Sequence, residues 1–176
     1  MTIDPDIAAL IAHYALTPLP AEGTLFCSTY RSPTEFPDGS PHGTAMIGMY
    51  CEQPVSRSRF HRLPVDEVWH FYAGDPLRLI LLHPDGSSED VIMGANALAG
   101  ERVQFVVRAG TWQAGHVANG GRYALFGCTL APGFTGTMYE GGDRAKLLAR
   151  YPERAADIDR LGSDADELRM PEGFAT

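Results

Sequence analysis

The sequence predicts an all-β protein, either a sandwich or a barrel, with a helix before the strands and short helices after them. Between residues 24 and 131, short runs of β-branched and aromatic residues alternate with Gly, Pro, Asp and Asn, a pattern typical of strands separated by turns. One interruption, His83–Gly86, contains Asp-Gly, which readily adopts the positive φ angles of a tight hairpin turn. Almost no helical pattern lies between the strands, so the alternation expected of an α/β fold is missing.

The first element is a helix that begins at Asp4. This residue is suited to cap the helix and Pro5 to occupy its first turn, and Pro18 and Pro20 end it. The apolar residues at helical spacing are Ile7, Leu10, Ile11 and Tyr14. Seven strands are predicted after the helix, over residues 24–31, 44–51, 67–73, 77–83, 88–93, 102–108 and 122–131.

Helical patterns return near the C-terminus. Asp143–Arg150 carries apolar residues at helical spacing, and Pro152 begins a second helix that includes Ile158 and Leu161. After Gly162 the chain is acidic and poor in large apolar residues. We therefore expect a single domain over residues 1–162 and a flexible acidic tail over residues 163–176.

The charge of the chain argues against a nucleic-acid partner. Lys and Arg total 14 against 22 Asp and Glu, a formal net charge of -8, whereas binding to a phosphate backbone needs a basic surface. No apolar stretch approaches the roughly 20 residues of a membrane span, and Asp4 and Asp6 stand where a signal peptide carries basic residues. The three cysteines form no Cys-x-x-Cys pair. We expect a cytoplasmic protein with reduced thiols and no membrane partner.

Four segments of the sequence form a specific combination. They are Ser58–Leu77 (SRFHRLPVDEVWHFYAGDPL), Arg108–Gln113 (RAGTWQ), Tyr123–Phe134 (YALFGCTLAPGF) and Leu147–Pro152 (LLARYP). Together they resemble the DUF985 branch of the cupin superfamily, the Cupin_5 family, over nearly the whole chain. The resemblance implies a double-stranded β-helix of the jelly-roll type that is usually dimeric. We expect a homodimer that pairs through the strand at 24–31, because exposed sheet edges are commonly covered.

Two positions depart from the pattern of that family. Glu22–Ser28 (EGTLFCS) stands where the family usually carries Gly-Gly-Tyr-Phe-x-Glu, and Arg108 stands in place of a proline. The first departure lies on a strand that the resemblance places near the pocket. We therefore expect the ligand preference of this chain to differ from that of its relatives.

His61 is the leading candidate for a catalytic base. The stretch Arg59–Arg62 (RFHR) resembles a stretch of nucleotide-sugar epimerases, in which a histidine removes a proton next to a carbonyl without a metal. An imidazole suits this task because its pKa lies near neutral pH. Glu67 is its expected partner. The candidates for an acid on the opposite face are Tyr30, Tyr50 and Tyr123.

A metal centre is the second interpretation of the same residues. Metal-binding cupins present two histidines and a glutamate in a first motif and another histidine in a second. Six residues separate Glu67 from Gly74, as in the first motif, and His61 can supply one histidine. Gln113 stands where the second motif carries its histidine, and an amide oxygen is a weak ligand beside imidazole. We expect no tightly bound metal and no cofactor; a divalent transition metal, if bound, would use His61, Glu67 and Gln113.

A pocket for a small molecule is expected around these residues. Strand alternation places Glu67, Trp69 and Phe71 on one face and His70 on the other. Aromatic walls suit a sugar or a flat ligand, and an arginine can hold a carboxylate or phosphate. The expected ligand-binding residues are Trp69, Phe71, Trp112, Gln113, Arg59 and Tyr50. Ordinary barrel core is an equally good interpretation of the aromatic ones.

The sequence leaves three functions open. The leading hypothesis is an isomerase- or epimerase-like enzyme that acts on a polar, sugar-like or carbonyl-containing metabolite, with His61 as base and Glu67 as its partner. The second is a metal-dependent enzyme that uses His61, Glu67 and Gln113. The third is a non-catalytic ligand-binding or storage-like module. A fully apolar pocket would favour the third function, and a histidine in a site without a metal would favour the first.

Overall fold

The computed structural model describes residues 3–174, and these residues form two antiparallel sheets that face each other. In chain order the strands are β1 (Thr17–Pro18), β2 (Leu25–Arg31), β3 (Thr44–Cys51), β4 (Ser58–Arg62), β5 (Glu67–Gly74), β6 (Leu77–Leu82), β7 (Ser88–Met93), β8 (Gln104–Val107), β9 (Trp112–Val117), β10 (Tyr123–Leu130) and β11 (Glu140–Gly141). The first sheet has the order β1-β2-β3-β10-β5-β8, and the second has the order β11-β4-β9-β6-β7. The predicted all-β class is confirmed.

The predicted strands coincide with β2, β3, β5, β6, β7, β8 and β10, and their ends agree to within two residues. The prediction missed β1, β4, β9 and β11. The sequences of β4 (SRFHR) and β9 (WQAGHV) contain few β-branched residues, so composition gives little strand signal there. These two strands are neighbours in the second sheet, and they carry His61 and Gln113.

The predicted hairpin turn joins β6 to β7. The backbone amide of His83 donates to the carbonyl of Ser87 at 2.8 Å, and Asp85 Oδ1 accepts from the Ser87 amide at 2.9 Å. Gly86 has a φ of 95°, a conformation that costs glycine little because it has no Cβ. The turn sets the register of the hairpin.

The N-terminal helix α1 (Pro5–Tyr14) packs on the outer face of the first sheet. It begins at the predicted cap, because the Asp4 carboxylate accepts a hydrogen bond from the Asp6 amide at 2.9 Å. It ends at Ala15, which has a φ of 50°, and so stops before Pro18. The left-handed residue ends the helix earlier than the proline would.

Two short helices cover the outer face of the second sheet. They are α2 (Arg144–Arg150), whose cap Asp143 accepts from the Lys146 amide at 2.9 Å, and α3 (Ala155–Leu161). Their apolar side chains pack with those of β4, β6 and β9 in a second buried cluster. Within residues 3–174, none of the helices has the length and apolar character needed to cross a membrane.

Residues 163–174 run along the surface of the barrel. Ser163 and Met170 are buried there, and the Gly141 amide in β11 donates to the Leu168 carbonyl at 2.9 Å. These contacts do not measure motion, so the flexibility expected of residues 163–176 stays a prediction, as does the single domain over 1–162. Residues 175 and 176 lie outside the described part of the chain.

The largest buried cluster fills the space between the two sheets. Its members include Tyr50, Trp69, Leu79, Leu81 and Phe126. A Cβ atom at Gly115 would lie 2.7 Å from Tyr50 Oη, so a glycine at this position of β9 lets the tyrosine approach the opposite sheet. The aromatic residues of the barrel therefore serve largely as core.

Truncation of a core leucine should cost much more stability than truncation of an exposed one. Leu81 is 1% exposed and Leu98 is fully exposed. We expect Leu81→Ala to lower the free energy of unfolding by about 2–5 kcal/mol, because it removes buried methyl groups and leaves a cavity. Leu98→Ala should change it by less than about 0.5 kcal/mol. Urea denaturation measures both values, and equal losses would contradict the assignment of Leu81 to the core.

Candidate functional site

A cavity opens at the end of the barrel where β3 and β5 begin and β10 ends. The space inside it that the centre of a water-sized molecule can reach is about 40 Å³, so the cavity is narrow. Most of its wall is apolar. The apolar side chains belong mainly to Leu19, Phe26, Met46, Leu63, Leu130 and Phe134.

Four ionisable side chains also line the cavity: Glu22, His61, Glu67 and Cys128. His61 lies on β4, Glu67 begins β5, Cys128 lies on β10, and Glu22 belongs to the turn before β2. All four are more than nine-tenths buried. Because burial removes water from these groups, their contacts inside the protein determine their orientation and protonation.

The side-chain amide of Gln113 joins two of these groups. Its Nε2 lies 2.5 Å from Glu67 Oε2 and 3.3 Å from His61 Nε2, while its Oε1 accepts from Trp69 Nε1 at 3.0 Å. An indole N–H only donates, so it fixes the amide oxygen on the Trp69 side and turns the amide nitrogen toward the cavity groups. Gln113 therefore donates to both Glu67 and His61.

His61 presents an unprotonated Nε2 to the cavity. Its Nδ1 lies 2.8 Å from the carbonyl oxygen of Arg59, and since a carbonyl only accepts, the ring proton is on Nδ1. Nε2 is left to accept from Gln113, in agreement with the orientation of the amide. The ring also stacks on Tyr139, with ring centres 5.3 Å apart and planes at 19°. These contacts fix both the tautomer and the plane of the imidazole.

Glu22 is held beside His61 by neutral hydroxyl groups. Its Oε1 accepts from Thr24 Oγ1 and, at 2.7 Å, from Ser58 Oγ. Its Oε2 lies 3.9 Å from His61 Nε2. Gly23 has a φ of 97° and so permits the tight turn that brings Glu22 back over β4.

Burial is the main influence on the protonation of Glu67 and Cys128. It raises the pKa of Glu67 above the ordinary value, and the Glu22 carboxylate adds to the rise, whereas His61 and the Gln113 amide oppose it. Burial also raises the pKa of the Cys128 thiol well above its ordinary value, with the Glu67 carboxylate as a further cause. The cavity therefore contains a neutral thiol and a carboxyl group that keeps its proton at higher pH than an exposed glutamate does.

The ligand set predicted for a metal does not fit a metal. Gln113 turns an NH₂ group toward His61 and Glu67, and its oxygen is occupied by Trp69. A metal needs lone pairs from its ligands, and an amide nitrogen offers none. In the described part of the chain, no group of three or more His, Cys, Asp or Glu side chains is arranged to hold a metal ion. That the protein binds no metal tightly stays a prediction.

The wall of the cavity differs from the predicted one. Tyr50 and Trp69 belong to the core between the sheets, and Phe71 packs against that core. Trp112 lies on the other face of the second sheet, where the Arg62 guanidinium is 4.5 Å from its ring centre. Because successive residues of a strand alternate, Trp112 and Gln113 cannot both point inward. Within residues 3–174, the cavity is lined by none of the six predicted ligand-binding residues.

Arg59 and the tyrosines considered as the acid also lie elsewhere than predicted. The side chain of Arg59 pairs with Glu167 at the surface, although its carbonyl orients His61. Tyr30 is 54% exposed, and Tyr123 packs under α1. His70 lies on the outer face, where its Nε2 is 3.0 Å from Thr129 Oγ1. Within residues 3–174, none of the three tyrosines considered as the acid lines the cavity, whereas Glu67, predicted as the partner of the base, does.

Sequence reasoning missed Glu22 as a site residue. The stretch Glu22–Ser28 departs from the family pattern, and Glu22, Phe26 and Ser28 all line the cavity. Phe26 and Ser28 are two apart on β2, so they share its inward face. This spacing, together with the departure, is the signal that could have located the wall.

Two facing antiparallel sheets with a cavity at one end are typical of a jelly-roll barrel. The chain belongs to the Cupin_5 family of the cupin superfamily (DUF985), whose model matches residues 8–141. The resemblance stated from the sequence is confirmed.

Solved structures agree with this assignment. The chain is similar to a protein of Shewanella oneidensis, with 31% identity, 93% of this chain and 99% of that chain covered, and a TM-score of 0.81. A hypothetical protein from Leishmania major is 27% identical, with 89% and 98% covered and a TM-score of 0.78. A cupin 2 conserved barrel domain protein from Rhodopseudomonas palustris shares the fold, at 14% identity, 77% and 79% coverage and a TM-score of 0.52. No curated protein matches the chain.

Replacement of the buried Glu67 by glutamine should stabilise the protein in a pH-dependent way. Below the pKa of an unfolded glutamate, about 4.3, residue 67 is uncharged in both states and the two proteins should differ least. As pH rises toward the higher pKa of folded Glu67, the unfolded wild type releases its proton first, so the wild type loses stability relative to Glu67→Gln. We expect the variant to gain of order 1 kcal/mol by pH 8.

Urea denaturation between pH 4 and pH 8 measures this difference. Glu52→Gln is the matched control, because the Glu52 side chain is 55% exposed and its removal should give no such trend. A Glu67→Gln variant that tracks the wild type at every pH would show that burial of this carboxyl carries no cost.

Proposed function

We propose that this protein is an isomerase- or epimerase-like enzyme that moves a proton on a small carbonyl-containing metabolite. The observation that carries the proposal is the orientation of His61, whose proton is held on Nδ1 by the Arg59 carbonyl while Nε2 faces the cavity. A buried imidazole in this tautomer is suited to act as a base. Glu67, with its raised pKa, supplies an acid in the same cavity.

In the proposed step, His61 Nε2 takes a proton from the carbon next to the carbonyl. The electron pair of the C–H bond forms a new C–C π bond, and the carbonyl π electrons move to the oxygen. The Glu67 carboxyl donates to that oxygen and so stabilises the negative charge that develops there. In a hydroxyaldehyde or hydroxyketone, His61 then returns the proton to the former carbonyl carbon while the adjacent hydroxyl group transfers its proton to the enolate oxygen. The carbonyl group thereby moves by one carbon, and His61 and Glu67 recover their starting states.

The cavity supports this proposal better than the other two functions. A storage-like module needs no buried base and acid, yet His61 and Glu67 are 4% and 7% exposed in a largely apolar wall. Burial of such polar groups lowers stability unless hydrogen bonds compensate for it, and a stability cost of this kind is typical of a functional site. The metal-dependent alternative lacks support, because Gln113 directs an amide nitrogen at the other two ligands.

Exchange of carbon-bound protons with solvent tests the proposal across a panel of candidate substrates. The wild type is incubated in D₂O with hydroxyaldehydes and hydroxyketones, and ¹H NMR follows the loss of signals next to the carbonyl. We expect exchange with at least one compound. His61→Gln should slow it by about 10²–10⁴-fold, the usual contribution of a positioned base.

His83→Gln is the matched control for this experiment. His83 lies in the β6–β7 turn, 3.1 Å from Glu89, and is not among the residues that line the cavity, so its replacement should leave exchange unchanged. Equal exchange by wild type and His61→Gln would contradict the role of His61, and exchange with none of the compounds would contradict the proposed activity.

We also propose that the protein acts in the cytoplasm as a homodimer. The described cysteines are all free thiols, which suits a reducing compartment. On one side of β2, β1 pairs only with Leu25 and Phe26, so the rest of this edge has no strand beside it within residues 3–174. Such an edge is commonly covered by a partner strand, and Tyr30 on it is 54% exposed.

Light scattering after size exclusion should therefore give twice the chain mass of 19.1 kDa at micromolar concentration. Tyr30→Asp should shift the mass toward the monomer, because it places a charge on the paired edge. Val55→Asp is the control, since Val55 is similarly exposed at 58% but lies outside β2. A monomeric wild type would refute the assembly.

A further inference from the structure

The lining of the cavity is acidic. Two of its side chains are glutamates, Glu22 and Glu67, and its histidine presents an unprotonated Nε2. Within residues 3–174, neither arginine nor lysine contributes to the lining. An anionic ligand would find a carboxylate and no cationic partner there, and its burial would cost free energy.

Glu22 has an oxygen atom available to a ligand. The residue is 7% exposed, and its Oε1 is satisfied by Thr24 and Ser58. Its Oε2 lies 3.9 Å from His61 Nε2, beyond hydrogen-bond distance, and accepts no hydrogen bond from the residues that the structure describes. A carboxylate oxygen that is open to a cavity is a strong acceptor for a ligand donor.

The arginines closest in sequence to the site residues are engaged elsewhere. Arg59 pairs with Glu167, and Arg62 forms a two-pronged pair with Glu140 at 2.8 and 2.9 Å. Arg108 pairs with Asp66 at 2.7 Å and its side chain is 77% exposed. Arg57 and Arg160 line a neighbouring pocket that Glu22 also borders, so these arginines lie outside the lining of the main cavity.

The rest of the wall is largely apolar. Phe26, Met46 and Phe134 lie there with three leucines, and such a surface gains free energy when it covers a hydrocarbon body. A ligand that matches both parts has a compact apolar body and one group that donates hydrogen bonds and carries positive charge.

We infer that the cavity binds a small primary amine in its ammonium form, with the charged group at Glu22 Oε2 and the apolar body against Phe26, Met46 and Phe134, and that it excludes phosphates and carboxylates. This inference rests on the same cavity as the proposed function and names its ligand class. The ammonium group supplies the donor that Glu22 lacks, whereas a phosphate would meet the carboxylate directly.

A charge series of matched shape tests the inference. The probes are benzylamine, benzyl alcohol and benzoate, together with butylamine, butanol and butyrate in case a ring is too wide for the cavity. Ligand-observed NMR titration gives a Kd for each. We expect the amine of a series to bind about tenfold more tightly than its alcohol, the advantage of a hydrogen bond to a charged group, and the carboxylate to show no binding.

Glu22→Gln is the decisive variant, because its side-chain oxygen can still accept from Thr24 and Ser58 while the charge is removed. It should weaken amine binding about tenfold and leave alcohol binding within about twofold. Glu52→Gln, at an exposed position, should change neither. Thermal melting of each variant confirms that it is folded at the temperature of the titration.

Three results would overturn the inference: carboxylate binding as tight as amine binding, amine binding unaffected by Glu22→Gln, or no binding by either series. These results are independent of proton exchange. Amine binding without exchange of carbon-bound protons would support the inferred ligand class and refute the proposed activity. Proton exchange without a preference for the amine probes would support the proposed activity and refute the inferred ligand class.

Discussion

The hydrogen bond from the Trp69 indole to the Gln113 amide connects the two sheets through the interior, and the polarity of the site depends on it. Were the amide reversed, its oxygen would face the Glu67 carboxyl and His61 Nε2, and the indole N–H would be buried without an acceptor. Each unsatisfied group of this kind costs about 1–3 kcal/mol. The donor-only indole therefore turns the amide nitrogen toward His61 Nε2, in agreement with the tautomer that the Arg59 carbonyl fixes.

The rest of the site follows from where strands begin and end. His61, Glu67 and Cys128 come from β4, β5 and β10, near the end of the barrel at which the cavity opens. Deeper in the barrel the inward residues are Tyr50, Leu79 and Phe126, which pack as core. Packing of this kind supplies the rigidity that the polar groups need to keep their orientation.

Much of the fold was predictable because strand length and turn chemistry are local properties. The Asp-Gly turn after His83 and the β-branched runs of the predicted strands each carry their own signal. β4 and β9 carry no such local signal. Their Ser, Arg, His, Gln, Gly and Ala residues fit contacts with residues that are far away in sequence. Gly115, for example, is required by the approach of Tyr50. The strands that carry His61 and Gln113 were thus the hardest to recognise, as expected where local preference gives way to tertiary contacts.

The contrast between local sequence signals and long-range contacts also explains which residues of the candidate site could be predicted. His61 and Glu67 were identified because one motif holds them six positions apart, and strand alternation correctly turned His70 outward. Glu22 escaped because its carboxylate is anchored by Ser58, which is 36 residues away in sequence. The acidity of the cavity arises only when the turn before β2 meets β4 and β5. The sequence near His61 makes an anion-binding arginine a sound expectation. In the folded protein, however, Arg59, Arg62 and Arg108 each pair with a surface carboxylate. Within residues 3–174, no arginine lines the cavity that contains Glu22. The charge preferred in the ligand is therefore a property of the assembled barrel and not of any single motif.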